Sequence, residues 1–177
     1  MRKKAKYRVG DKIIESGQVF RIFKVEKQKT QNGEVEKIVH FKPYSKYNKN
    51  STLVCSIPYK NIQTACIRKP VSKQKLRKLT RKLTKMKGVQ KFPDLNKAKL
   101  LLKSSRLEDA ISVIRKLWKE AEGKTEILPK SKRDILGSAV DKLTQEFALV
   151  ENISLLKAID KINSLLQTNN ISTSPSS

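Results

Sequence analysis

Two hydrophobic periods divide the chain. Residues 18–25 and 34–41 are short runs rich in β-branched and aromatic residues, set in the alternation of apolar and polar positions that suits a half-buried strand. Between them Thr30-Gln31-Asn32-Gly33 carries an Asn-Gly turn signal, so the pair predicts a β-hairpin. Residues 8–14 before it, with 52–57 and 62–67 after it, raise the count to about five short strands, the number of a small SH3/Tudor-like or OB-like barrel. The polar connection over 43–51 predicts an exposed loop.

After Lys69-Pro70 the period changes to about 3.6. Leu76, Leu79, Leu83 and Met86 fall on one helix face, eight Lys and Arg between Lys73 and Lys87 cover the rest, and Gly88 is the expected stop. A second helix is expected from Pro93 to about Lys103. Ser105-Arg106-Leu107-Glu108 reads as a capping box, opening a helix whose stripe is Leu107, Ala110, Ile111, Ile114, Leu117, Trp118 and Ala121. Gly123 closes it. Ser131 with Asp134 is expected to cap a fourth helix carrying Ile135, Ala139, Val140, Leu143 and Phe147, and a fifth carries Leu155, Ile159, Ile162 and Leu166. The pattern therefore predicts an α+β chain: a small N-terminal β-barrel over 1–69, an all-α domain of about five helices over 70–167, and a disordered polar tail over 168–177.

Charge changes the picture from fold to partner. Lys and Arg total 40 against 16 Asp and Glu, a net charge of +24. The excess is concentrated: 15 basic and 5 acidic residues over 1–66, 14 and 1 over 67–103, and 11 and 10 over 104–177. Neighbouring like charges repel, so a 14-to-1 segment implies a polyanion, with nucleic acid first because phosphate contacts release counterions. No apolar run reaches the ~20 residues of a membrane span, and the basic start is followed by a polar segment rather than a signal-peptide core. The expected location is cytoplasmic and nucleoid-associated.

Catalytic chemistry has little to work with. His40 is the sole histidine, no Gly-rich phosphate loop or nucleophile motif is present, and Glu34 with Glu36 reads as a solvated strand face. Cys55 and Cys66 lack metal-like spacing to any partner and are expected to be buried thiols on adjacent strands. Neither enzyme activity, metal nor cofactor is expected.

Several strings resemble the CarD/CdnL-type bacterial transcription regulators, whose N-terminal domain is shared with the transcription-repair coupling factor. Val9-Gly10-Asp11, Ile13-Ile14 and Gly17 are similar to the family's opening strand and turn, and Ile57-Pro58 to its late Val-Pro. The helical half is closer: residues 110–118, ending Leu117-Trp118, with Lys132-Arg133-Asp134-Ile135-Leu136 and Glu146-Phe147-Ala148-Leu149-Val150-Glu151, resemble the family's helix strings. The resemblance spans roughly residues 7–166. It implies that the β-domain docks on the RNA polymerase β subunit and that the helical domain holds duplex promoter DNA at the upstream edge of the bubble, stabilising the open complex. The implied polymerase contacts are Lys27 and the late strand, Leu53, Val54, Cys55, Ser56, Ile57 and Pro58, acting by strand-edge pairing.

The expected DNA contacts are Lys75, Arg77, Lys78 and Arg81 on the first helix, Lys97 and Lys99 on the second, and Lys130, Lys132 and Arg133 at the fourth. Lys91-Phe92-Pro93 occupies the place where family members carry an exposed Trp wedge. Two readings of Phe92 stand: a smaller wedge at the duplex–melted DNA junction, or a staple at a helix start. An Arg that the family uses against polymerase corresponds to Ser56. Two other functions also fit the charge: a KOW-like RNA-binding or ribosome-associated structural protein, and a nucleoid-type DNA-binding protein. A monomer is the default expectation.

Overall fold

The computed structural model describes residues 6–29, 32–44, 52–62, 64–85, 94–122 and 124–171. The chain divides into two compact units, Met1–Pro70 and Val71–Ser177.

The first unit is a four-stranded antiparallel sheet in the order β1-β2-β3-β4: β1 Lys12–Glu15, β2 Gln18–Lys29, β3 Val35–Pro43 and β4 Cys55–Pro58. Glu15 pairs with Gln18 across Ser16-Gly17, whose φ values of 48° and 79° are both positive. That is the type I′ geometry, whose twist matches the strands it joins. Gly33, at φ +78°, serves the hairpin between β2 and β3. The register of that hairpin slips once: Ile22 faces Phe41 and Lys24 faces His40, so Phe23 is an extra residue, a β-bulge. Core residues Tyr7, Ile13, Phe20, Ile22, Val39, Phe41, Ile62 and Ile67 gather on one face of the sheet. The Phe20 and Phe41 rings meet edge to face at 5.3 Å, the arrangement their quadrupoles prefer.

The fifth expected strand does not form. Residues 64–66 make a turn, with Cys66 in the left-handed region at φ 56°, and the return to the sheet is a single bridge between Arg68 and Ile14. Cys66 is exposed rather than buried for the same reason, while Cys55 is half-buried on β4 and its thiol pKa is raised by that burial.

The second unit holds α1 Lys73–Thr80, α2 Leu95–Lys103, α3 Leu107–Glu120, α4 Lys130–Glu151 and α5 Leu155–Ile171. Its core is a seam between α3 and α4, in which Val113, Ile114, Leu117, Ala139 and Leu143 are fully buried. Trp118 packs partly buried against this core. Glu146, buried on α4, accepts a 2.9 Å hydrogen bond from the Val71 N–H and so ties the start of the unit to its central helix.

Several helix boundaries differ from the periodicity. α1 ends at Thr80, whose hydroxyl donates back to the carbonyls of Leu76 and Arg77; the next residues tighten into i→i+3 bonds, and Leu83 stays buried there. A segment of unrelieved positive charge with Thr back-bonding is a poor continuation of a helix. Met86, Gly88 and Pro93 lie outside the described residues, as does Gly123; α2 is capped instead by Asp94, whose carboxylate accepts from the Asn96 N–H. The capping box at Ser105 is not formed. Arg106 is the N-cap of α3 and no side chain caps it; Ser104 accepts from the Arg106 N–H and donates to Asp109 at 2.6 Å, while Ser105 is buried and Glu108 turns to α1. α4 starts one residue before Ser131, with Pro129 as N-cap and no side-chain cap. On α5, Ala158 takes the core position expected of Ile159, which is 37% exposed, beside buried Ile162 and Leu166. The helix runs on to Ile171, past the expected boundary at Gln167, since each residue added to a formed helix gains a backbone hydrogen bond.

Ile114 fills the α3–α4 seam without exposure. Ile114→Ala should cost the helical unit about 2–5 kcal/mol, read from urea unfolding followed by Trp118, the chain's single Trp. A loss well below 1 kcal/mol would show that the seam is not where this unit's stability resides.

Candidate nucleic-acid and protein interfaces

α1 presents two unlike faces. Ser72 caps it by accepting from the Lys75 N–H, and Leu76 and Leu79 are its buried side. Lys73, Lys75, Arg77, Lys78, Arg81 and Lys82 are all exposed, so the outward surface is almost wholly cationic. Two of these cations have partners. Lys75 Nζ lies 2.6 Å from Glu108 on α3, and Arg77 Nε lies 3.9 Å from Glu151 at the end of α4. Lys78 and Arg81 have no acidic partner among the described residues.

The remaining expected DNA contacts are distributed rather than gathered. Lys97 and Lys99 are exposed on α2. Lys130 and Arg133 are exposed at the first turn of α4, but Lys132 is half-buried and bound to Glu120 on α3, which removes it from the accessible set. Lys91 and Phe92 lie outside the described residues. The two ends of α4 are nevertheless in line. Arg133 and Glu151 are eighteen residues apart, five whole turns, so they share one side of the helix about 27 Å from each other. Glu151 marks the position of Arg77. The Arg77 and Arg133 patches therefore stand within one turn of B-form duplex, ~34 Å.

In the sheet unit, β4 pairs only with β3 and forms an edge, with alternate backbone groups directed away from the sheet. Cys55 and Ile57 turn toward the core; Leu53 and Val54, just before the strand, are 44% and 58% exposed. Pro58 ends the edge, as a residue without an N–H can. Lys27 is exposed on β2 opposite Lys37, so β3 stands between it and β4. Ser56 is engaged within the sheet. Its Oγ is 2.8 Å from His40 Nδ1, and His40 Nε2 is 2.8 Å from Glu26 Oε1, a polar chain across three strands. The Lys24 ammonium, together with Gln28 and His40, holds the Glu26 carboxyl below its ordinary pKa against the opposing effect of burial. Sequence reasoning missed this chain because it depends on the bulge at Phe23, which decides which residues stand opposite.

Among the described residues no group of three His, Cys, Asp or Glu could hold a metal ion, and no helix is long and apolar enough to cross a membrane. No family model matches the chain, and no curated protein matches it either.

The Lys75–Glu108 pair has a pH signature. Burial of the Glu108 carboxyl opposes its ionisation, but the hydrogen bond and charge of Lys75, with a backbone N–H bond, hold its pKa below the ordinary value. A depressed folded-state pKa contributes stability that is complete above the unfolded value, near 4.3, and is lost as pH falls through the folded one. Glu108→Gln should therefore lower stability at about pH 6.5 by no more than ~1 kcal/mol and leave it unchanged at about pH 2, where both forms are neutral. Urea melts at the two pH values check this; an equal loss at both would mean that Glu108 acts by packing rather than charge.

Proposed function

We propose that the chain is a CarD-like transcription factor that binds RNA polymerase through its sheet unit and duplex promoter DNA through its helical unit, stabilising the open complex without chemistry of its own. The observation that carries this reading is α1, whose apolar side alone is buried while its other side is a row of exposed cations. Such a surface is held in place by packing and neutralised by phosphate. Arg133, in line with it along α4, extends the contact over a length that one duplex covers.

The sheet unit supports the protein half of the reading. An edge strand offers main-chain hydrogen bonds to an incoming strand, and exposed Leu53 and Val54 beside it supply apolar area. The edge is four residues long, so the flanking side chains must provide selectivity. Lys27, beyond β3, is positioned to meet the partner's rim rather than its added strand. Stabilising an open complex needs only tighter binding to that state than to the closed one.

Two measurements on the full chain test the two halves separately. Leu53→Asp with Val54→Asp should weaken binding to the purified β lobe by roughly tenfold or more, as a desolvated apolar contact at an interface does, while duplex affinity is retained. The native chain's affinity for duplex should fall with salt at a log–log slope of roughly −4 to −5. Arg77→Gln and Arg133→Gln should each make that slope shallower by about one, on any sequence, and by about two together. A slope indifferent to both substitutions would place the duplex elsewhere.

A further inference from the structure

The outer face of the sheet, opposite the core, carries a second arrangement of charge. Lys12 is directly opposite Arg21, and Arg21 directly opposite Lys42, so three cations stand abreast on three adjacent strands. Like charges directly opposite one another destabilise a sheet. None of the three has an acidic partner among the described residues. The nearby carboxylates are engaged elsewhere: Asp11 with Lys69 and the Arg8 N–H, Glu26 with Lys24 and His40. Burial and then the neighbouring Arg21 charge lower the Lys12 pKa, outweighing the opposite effect of the Asp11 charge.

An aromatic ring lies at each end of this row. Tyr44, whose N–H bonds to the Val19 carbonyl, is 47% exposed, with Lys12 Nζ 4.1 Å from its ring centre. Phe23, brought to this face by the bulge, is 37% exposed beside His40, with Lys42 Nζ 5.6 Å from its ring centre. Along β2 the levels run Val19, Arg21, Phe23, so ring, cations and ring follow one another over about 13 Å. A bulge that leaves an apolar ring in water makes sense where something stacks on it.

We infer that this face binds single-stranded nucleic acid, with bases stacked on Tyr44 and Phe23 and the backbone phosphates on Lys12, Arg21 and Lys42. Ile14 and Val19 on this face are buried, but the cations and rings beyond them are accessible. Sheet faces that combine a cationic track with exposed rings suit single strands, because every base has a face to stack and every linkage a charge to neutralise. Duplex fits poorly: its bases are already stacked and its phosphates do not reach between the rings. The ligand is thus different in kind from the duplex assigned to the helical unit, and the site is separate from the β4 edge. Its source is either RNA or a melted DNA strand, which share this chemistry.

Fluorescence anisotropy with the full chain tests it, using short oligothymidylate, oligouridylate, and a base-free sugar–phosphate strand of the same length. Phe23→Leu with Tyr44→Leu keeps the apolar bulk and removes the stacking faces. This variant should lose roughly tenfold or more in affinity for the base-bearing strands and nothing for duplex, with its β-lobe binding unchanged. Arg21→Gln with Lys42→Gln should weaken all three strands and reduce their salt dependence. Tighter binding of oligouridylate would identify RNA as the source, and tighter binding of oligothymidylate melted DNA; either supports the site. Equal binding of the base-free strand, or a Phe23/Tyr44 variant that binds as the native chain does, would overturn it. So would loss of single-strand binding on charge reversal of Arg77, Lys78 and Arg81 alone. Because lobe binding is read separately, failure here and failure of the polymerase reading are distinguishable.

Discussion

The packing of α3 against α4 is the interaction on which the helical unit depends. Val113, Ile114, Leu117, Ala139 and Leu143 exclude water completely, and α1, α2 and α5 each rest on one or both of these two helices. That seam has to outweigh repulsion as well as conformational entropy. The short basic helix α1 has no acidic residue of its own, and an isolated helix of its length would be marginal in water even without the repulsion. It is folded because Leu76 and Leu79 reach the shared core, and because Glu108 and Glu151 meet its cations from α3 and α4. Folding energy from an apolar seam is thereby used to hold positive charge at a fixed place.

The same carboxylates decide which cations remain available. Lys132 is occupied by Glu120, whereas Arg133, the next residue, is exposed. Lys75 is partly neutralised by Glu108, whereas Lys78 and Arg81 are not paired among the described residues. A count of basic residues would treat these positions alike. What distinguishes them is which side of its helix each occupies and whether a neighbouring helix carries an acid there.

The elements with strong period were readable from the sequence, and their ends were not. The α3 stripe from Leu107 to Ala121 and the hairpin of β2 with β3 follow from residue pattern, since burial of one face dictates both. Ser104 and Ser105 are two adjacent serines, and either could cap a helix; instead the helix starts after Arg106 without a side-chain cap, Ser104 donating to Asp109 and Glu108 being drawn to Lys75. Residues 62–67 carry strand-forming types but bend at Cys66, leaving Arg68 alone to bridge back. Of the candidate sites, the cationic face of α1 was visible because helical period and charge coincide. The row of Lys12, Arg21 and Lys42 and the polar chain of Glu26, His40 and Ser56 were hidden, because cross-strand neighbours depend on register, and register here includes an unannounced extra residue at Phe23.

That extra residue gives β2 something like a reading frame. Ile22 and Val25 both face the core although they are three positions apart, an odd number that a regular strand would send to opposite faces. Phe23 absorbs the difference. Deletion of Phe23 would close that frame rather than break it: Ile22 and Val25 would stand two positions apart, both still facing the core, with Lys24 still opposite His40. The core has no need of the extra letter. What the letter supplies is on the other side of the sheet, a ring at the surface that a strand of regular length would not carry there.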